Sequence, residues 1–145
     1  MANAYFLRAY CYFTLVRVFG DCPLLTSGFE SEKQEDMYPS RTAASEVYAQ
    51  VETDIEEALR LMPASSKLLH KASPAAINML RTEYYLWKAK RLGGGNAALS
   101  TAQSSVDAVL KAGYALLPTF ADIFNLNNEA NSELIWTLPI SSMKM

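Results

Sequence analysis

Residues 2–19, ANAYFLRAYCYFTLVRVF, carry only two charges, Arg8 and Arg17, and are apolar nearly all the way round. A helix of that kind has no polar face to turn to water, so it belongs buried between neighbours. Leu7, Cys11, Leu15 and Val18 mark one of its faces and Tyr5, Ala9, Tyr12 and Val16 another, before Gly20-Asp21 and then Pro23 end it. Its most apolar run, residues 9–16, is far shorter than the about 20 residues that a bilayer-spanning helix needs. The neighbours must therefore be protein. Half of the 145 residues are apolar, 11% are aromatic and 19% charged, which is the composition of a chain that folds.

Three more helices can be read from spacing and caps. The second runs from a cap at Ser40 or Thr42 to about Met62, with Val47, Val51, Ile55, Ala58, Leu59 and Met62 on its inner face and Pro63 as its stop. Its outer face is acidic. Glu56 and Arg60 are placed for an i,i+4 pair, Glu56 and Glu57 face solvent, and Asp54 stands at the margin of the inner face. The third helix has Ser73 as cap, Pro74 in its first turn, and Ile77, Leu80, Tyr84 and Trp87 at core spacing with Tyr85 on the flank. Lys88, Lys90 and Arg91 suit the negative end of its dipole, and Gly93-Gly94-Gly95 terminates it. The fourth, from about Asn96 to Ala112, lines up Ala98, Ala102, Val106 and Val109, small enough for close approach. Helices three and four thus form an antiparallel hairpin, the unit of helical repeat proteins. Beyond Gly113 the spacing predicts an extended stretch at Tyr114–Leu117, a helical turn at Thr119–Phe124 and a strand at Glu133–Leu138, the last from Ile135, Trp136 and Thr137. The fold class is all-α, a tetratricopeptide-like helical repeat scaffold (an α-α superhelix) with one short strand near the C-terminus.

The chemistry of the chain is sparse. Thirteen basic and fifteen acidic residues form no basic cluster, which argues against nucleic acid as a partner. One histidine, His70, and two cysteines, Cys11 and Cys22, are too few for a zinc site and assemble no nucleophile with a base, so no metal, no cofactor, no catalytic residue and no enzyme activity are expected. Both cysteines are expected as buried free thiols, and His70 as a surface residue of the linker before helix three. The three glycines follow a helix and lack the Lys-Ser/Thr of a phosphate loop, so they make a turn. Tyr84 and Trp87 are expected to pack in the core. Phe29 and Tyr38 differ, because they lie in the polar, aperiodic loop of residues 24–41 with no core to join, and they are the candidate ligand-binding residues.

Several segments together resemble the SusD/RagB family of Bacteroidetes outer-membrane proteins. FLRAYCYFTLVRVFGDCPLL resembles the family's early helix and its glycine-aspartate-proline turn, with Cys22 where a small aliphatic is usual. SEVYAQVETDIEEALRLMP resembles the next helix, and AAINMLRTEYYLWKAKRLGGGNAALSTA the repeat hairpin, with Asn78 and Glu83 as departures that bear on packing. AGYALLPTFADIFNLNNEANSELIWTLPI resembles the segment leading to the asparagine-glutamate strand. The resemblance implies a lipid-anchored, non-catalytic glycan or peptide binder on the extracellular face of the outer membrane, lying over a SusC-like TonB-dependent transporter. It also implies that residues 1–145 are a single helical domain fragment truncated at both ends, lacking signal peptide, lipidated cysteine and C-terminal half. Cys11, inside a helix, does not stand in for the anchor. Helices three and four alone equally allow a generic tetratricopeptide-like adaptor that holds a protein partner in a groove.

Overall fold

The structure, a computed structural model, describes residues 1–28, 38–66, 69–128 and 130–138. Among these lie four long helices, α1 (Ala2–Phe19), α2 (Ala44–Leu61), α3 (Pro74–Arg91) and α4 (Gly95–Leu110), then one helical turn, α5 (Phe120–Ile123), and a 3-10 turn at Leu126–Asn128. α1 packs along α2 and α3 along α4, with α2 and α3 joining the two pairs. Neighbours run antiparallel: Arg8 meets Asp54 while Asp21 reaches Ala44, and Trp87 meets Tyr48 while Arg81 meets Glu56. This is the all-α helical-repeat arrangement that the sequence predicts. None of the described helices is long and apolar enough to cross a membrane.

Local chemistry sets the boundaries. α1 ends at Gly20, whose φ of 68° suits a residue without a Cβ. The turn brings Asp21 to the start of α2, where its carboxylate accepts a hydrogen bond from the Ala44 N–H at 2.8 Å. The cap expected at Ser40 or Thr42 is therefore not used; the N-cap is Ala43, and the side-chain acceptor comes from the preceding turn. Thr42 instead forms an isolated antiparallel bridge with Cys22. α3 begins as its sequence requires, with Ser73 Oγ accepting from the Ala76 N–H at 3.1 Å and Pro74 in the first turn. Between α3 and α4, Gly94 sits so close to its surroundings that a Cβ would stand 2.8 Å from that of Ala98.

The core is built from Phe6, Ala9, Phe13 and Val16 of α1, Val47, Val51, Ile55 and Ala58 of α2, and Ile77, Leu80 and Tyr84 of α3. Phe13 and Tyr84 meet edge to face, with ring centroids 5.6 Å apart. Fully burying side chains of this size stabilises the fold by about 1.5–3 kcal/mol each. On α4 the buried row is Ala98, Ala102, Ser105 and Val109. Ser105 takes the place foreseen for Val106, because its Oγ accepts a hydrogen bond from Arg81 at 2.8 Å.

Four expectations are corrected. α1 is covered on one side only, since α2 and α3 both use the Phe6–Phe13 face; Leu7, Leu15 and Val18 remain 44%, 39% and 68% exposed, and Cys11 is exposed with them. Cys22 is buried as expected. Glu133–Leu138 is not a strand. Among the described residues no second strand lies beside it, and the Thr137 N–H donates to Leu69 O at 3.1 Å in a single contact with the linker. Asp54 is not marginal but 1% exposed. Both of its oxygens accept from Arg8 at 2.7 Å, and Gln50 donates to it at 2.9 Å. Finally, Arg60 pairs with Glu57, three residues away, while Glu56 accepts from Arg81 of α3 at 2.8 Å.

Candidate functional site

An apolar depression of about 500 Å³ lies between α1 and α3 and is bordered by the segment of residues 133–136. Phe6 and Tyr10 form one wall, Met79, Leu80 and Leu86 the other. Trp136 stands edge-on to both Phe6 and Tyr10, with ring centroids 5.2 and 5.4 Å away. Backbone bonding holds the segment in place through Thr137 and Leu69, and Thr137 Oγ1 lies 3.1 Å from His70 Nδ1. His70 is thus exposed in the linker, as expected, and ties that linker to the C-terminal segment. Upstream, the Glu133 carboxylate accepts from the Leu117 N–H at 2.9 Å.

The polar edge of this groove is largely committed. Glu83 accepts from Arg17, whose guanidinium lies over the Phe13 ring at 4.1 Å, and the buried Thr82 hydroxyl donates back to Asn78 O. Asn78, in turn, donates to Pro74 O at 2.9 Å. The two departures noted at Asn78 and Glu83 are therefore absorbed into local packing. What the groove offers is an apolar surface with aromatic edges. A smaller depression of about 280 Å³ lies beside Pro74, Tyr114 and Asn131. Asn131 is buried there, with its amide donating to Ile123 O and Asn128 O and its carbonyl oxygen accepting from the Glu133 N–H.

A second cluster lies between α2 and α3. The Glu52 carboxylate accepts from Lys88 Nζ at 2.7 Å and from the Tyr84 and Tyr85 hydroxyls at 2.9 Å each. Burial pushes the Glu52 carboxyl up, but the Lys88 ammonium and the two phenols outweigh it and hold it below the ordinary carboxylate value. Burial, then the Glu52 charge, pushes both phenols up, so Tyr84 and Tyr85 remain protonated donors. Trp87 Nε1 donates to the Tyr48 hydroxyl at 3.0 Å. These aromatics pack and brace, as the sequence predicts for Tyr84 and Trp87. Between α1 and α2, Arg8 is held charged by its hydrogen bonds to Asp54, and its remaining nitrogen donates to Thr26 O at 3.1 Å.

Of the two candidate ligand residues, Tyr38 is not among those that line the groove. Tyr38 lies before α2 and is 92% exposed, whereas Phe29 falls outside the described residues. Tyr10 and Trp136 are the groove aromatics that sequence reasoning missed. Their signal was present in the unbroken apolar surface of α1 and in the Leu134-Ile135-Trp136 run, which composition alone reads as a strand.

Two stacked antiparallel helix pairs with a polar brace at each junction define a tetratricopeptide-like helical scaffold. A family model described as starch-binding and associating with the outer membrane matches residues 1–86, which takes in α1, α2 and most of α3. The chain belongs to this SusD-like family. It is 29% identical over 145 residues to a SusD-like protein of Formosa agariphila, covering 95% of this chain and 25% of that protein. Against NanU of B. fragilis the TM-score is 0.87 at 29% identity, covering 98% of this chain and 28% of that one. A SusD superfamily protein of Bacteroides vulgatus gives 0.86 at 32% identity, covering 98% and 29%. The chain thus spans about a quarter of the length of the proteins that it matches.

Proposed function

We propose that this chain is the helical scaffold of a longer, non-catalytic nutrient-binding protein, which captures glycan or peptide at the extracellular face of the outer membrane of Bacteroidetes and hands it to a SusC-like TonB-dependent transporter. The observation that carries this reading is the superposition of 98% of the chain on NanU of B. fragilis and on a SusD superfamily protein of Bacteroides vulgatus, at TM-scores of 0.87 and 0.86. The family's description as starch-binding and associating with the outer membrane favours glycan and the membrane setting. The geometry suits a rigid frame: Arg8–Asp54 and Glu52–Lys88 fasten α1 to α2 and α2 to α3. Loops carried on such a frame are where recognition residues concentrate. In this reading Tyr38, with its open ring, and Phe29 of the same loop contribute aromatic faces to a ligand platform shared with later loops. The adaptor reading explains α3 and α4 alone, whereas the family match runs through α1 and α2.

Co-purification tests the proposal. Tagged full-length protein, solubilised from native outer membranes in mild detergent, is expected to bring down a TonB-dependent transporter in stoichiometric amount. Recovery from the soluble cytoplasmic fraction, with no transporter attached, would overturn it.

A further inference from the structure

We infer that Arg8 and Tyr12 of α1 are positioning residues for the ligand platform: they fix the limb that leaves α1 and, through the Cys22–Thr42 bridge, the base that carries Tyr38. The inference rests on the reading of Tyr38 as a ligand contact. After Gly20 the chain folds back along α1. The Tyr12 hydroxyl accepts from the Leu25 N–H at 2.7 Å and donates to Leu25 O at 3.4 Å, so one side chain takes up both backbone groups of that residue. One turn earlier on the same face of α1, Arg8 Nη1 donates to Thr26 O at 3.1 Å. The direction of that bond is set by α2. Arg8 Nε and Nη2 both donate to Asp54 at 2.7 Å, and two bonds to one carboxylate leave a planar guanidinium little freedom to turn. Leu24, between these clamps and the turn, packs against the core.

The clamps bear on Tyr38 through the backbone. The Thr42 N–H donates to Cys22 O at 3.0 Å, which closes the base of the loop. Cys22 is held on one side by the end of α1 and on the other by Leu25. Tyr38 precedes Thr42 by four residues, so it stands within about 14 Å of that bridge even on an extended chain. A shift of Cys22 is thus passed to Tyr38, whose exposed side chain has little packing to correct it. Packing of the helices does not depend on the Leu25 and Thr26 bonds, because the Arg8–Asp54 pair and the core already join α1 to α2. The Tyr12 ring packs against that core with or without its hydroxyl. What the hydroxyl and the third arginine nitrogen add is the course of a surface limb, and a binding constellation must be held to within about 0.5 Å by its supporting residues.

Tyr12→Phe keeps the packed ring and removes the clamp. Binding is measured by calorimetry on full-length protein with maltoheptaose, chosen from the family's starch-binding description, and with a panel of neutral oligosaccharides and peptides. Tyr12→Phe is expected to weaken binding roughly threefold to tenfold, the worth of one hydrogen bond, at an unchanged melting midpoint. In a Tyr38→Ala background it should add nothing further, because both changes act through one contact. An unchanged affinity in Tyr12→Phe, or losses that add in the double variant, sinks the inference. Hydrogen exchange of the parent gives an independent check: the Leu25 amide should be protected at least roughly tenfold relative to the unfolded chain, and an unprotected amide removes the clamp itself. Tyr38→Ala separates the two levels. If it weakens binding and Tyr12→Phe does not, the positioning role alone fails; if it leaves binding intact, the reading of Tyr38 fails and takes this inference with it. A parent that binds nothing in the panel contradicts the proposed function and both readings together.

Discussion

Asp54 illustrates how one carboxylate in an acidic run can matter more than its neighbours. Glu57 meets Arg60 at the surface, whereas Asp54 is buried and receives both arms of Arg8 and the Gln50 amide. Substituting Asp54→Asn removes the charge that balances Arg8 and leaves a partly buried guanidinium in search of an acceptor. A loss of about 2–4 kcal/mol is expected in urea unfolding; a change below about 0.5 kcal/mol would place the pair among ordinary surface contacts. Glu52 makes a pH prediction. Its folded-state value lies below the ordinary carboxylate value of about 4.3, so its contribution is complete above that pH and is lost as pH falls through the lower, folded-state value. The phenols act in the opposite sense, contributing fully below about pH 10 and losing that contribution as pH rises further. Unfolding measured from pH 3 to 7 should therefore show a shallower acid limb in Glu52→Gln than in the parent. Parallel limbs would mean that the carboxylate is not linked to folding.

At the level of elements, α1 to α4 were legible because their signals are local. Ser73-Pro74 starts α3, the glycine triplet ends it, and periodic apolar positions mark the inner face of α2. What could not be read locally was every feature with a distant cause. The cap of α2 comes from Asp21, the partner of Asp54 from Arg8, and that of Glu56 from Arg81. Trp136 misled for a related reason: strand propensity reports a residue suited to a half-buried extended surface, and that surface proved to be α1. Of the candidate site, the sequence revealed only that Tyr38 has no core to join. The α3–α4 turn supplies this scale's prediction. Gly94→Ala would press a methyl against Ala98 Cβ and Lys88 Cγ, at 2.8 and 3.0 Å, so it should cost about 1–3 kcal/mol by spreading the hairpin. Thermal unfolding followed at 222 nm checks this, and an unchanged midpoint would show that the turn yields freely.

At the scale of the molecule, the described residues form a well-braced interior and leave an apolar face of α1 exposed. Phe6, Phe13, Ile55, Ile77 and Tyr84 close the interior, and the polar braces at Asp54 and Glu52 fix how the helices cross it. Outside, Leu7, Leu15 and Val18 of α1 are exposed, and Tyr38 is exposed without lining the α1–α3 groove. That division is the expected shape of a scaffold whose ligand platform is completed by further polypeptide, because an enclosing site must surround much of its ligand. The decisive measurement is calorimetric titration of the full-length protein and of this 145-residue chain against one panel of glycans and peptides. The account predicts saturable binding of at least one ligand by the full-length protein and weak or no binding by the chain alone. Equal and tight binding by both would contradict it, placing the site on the helices themselves.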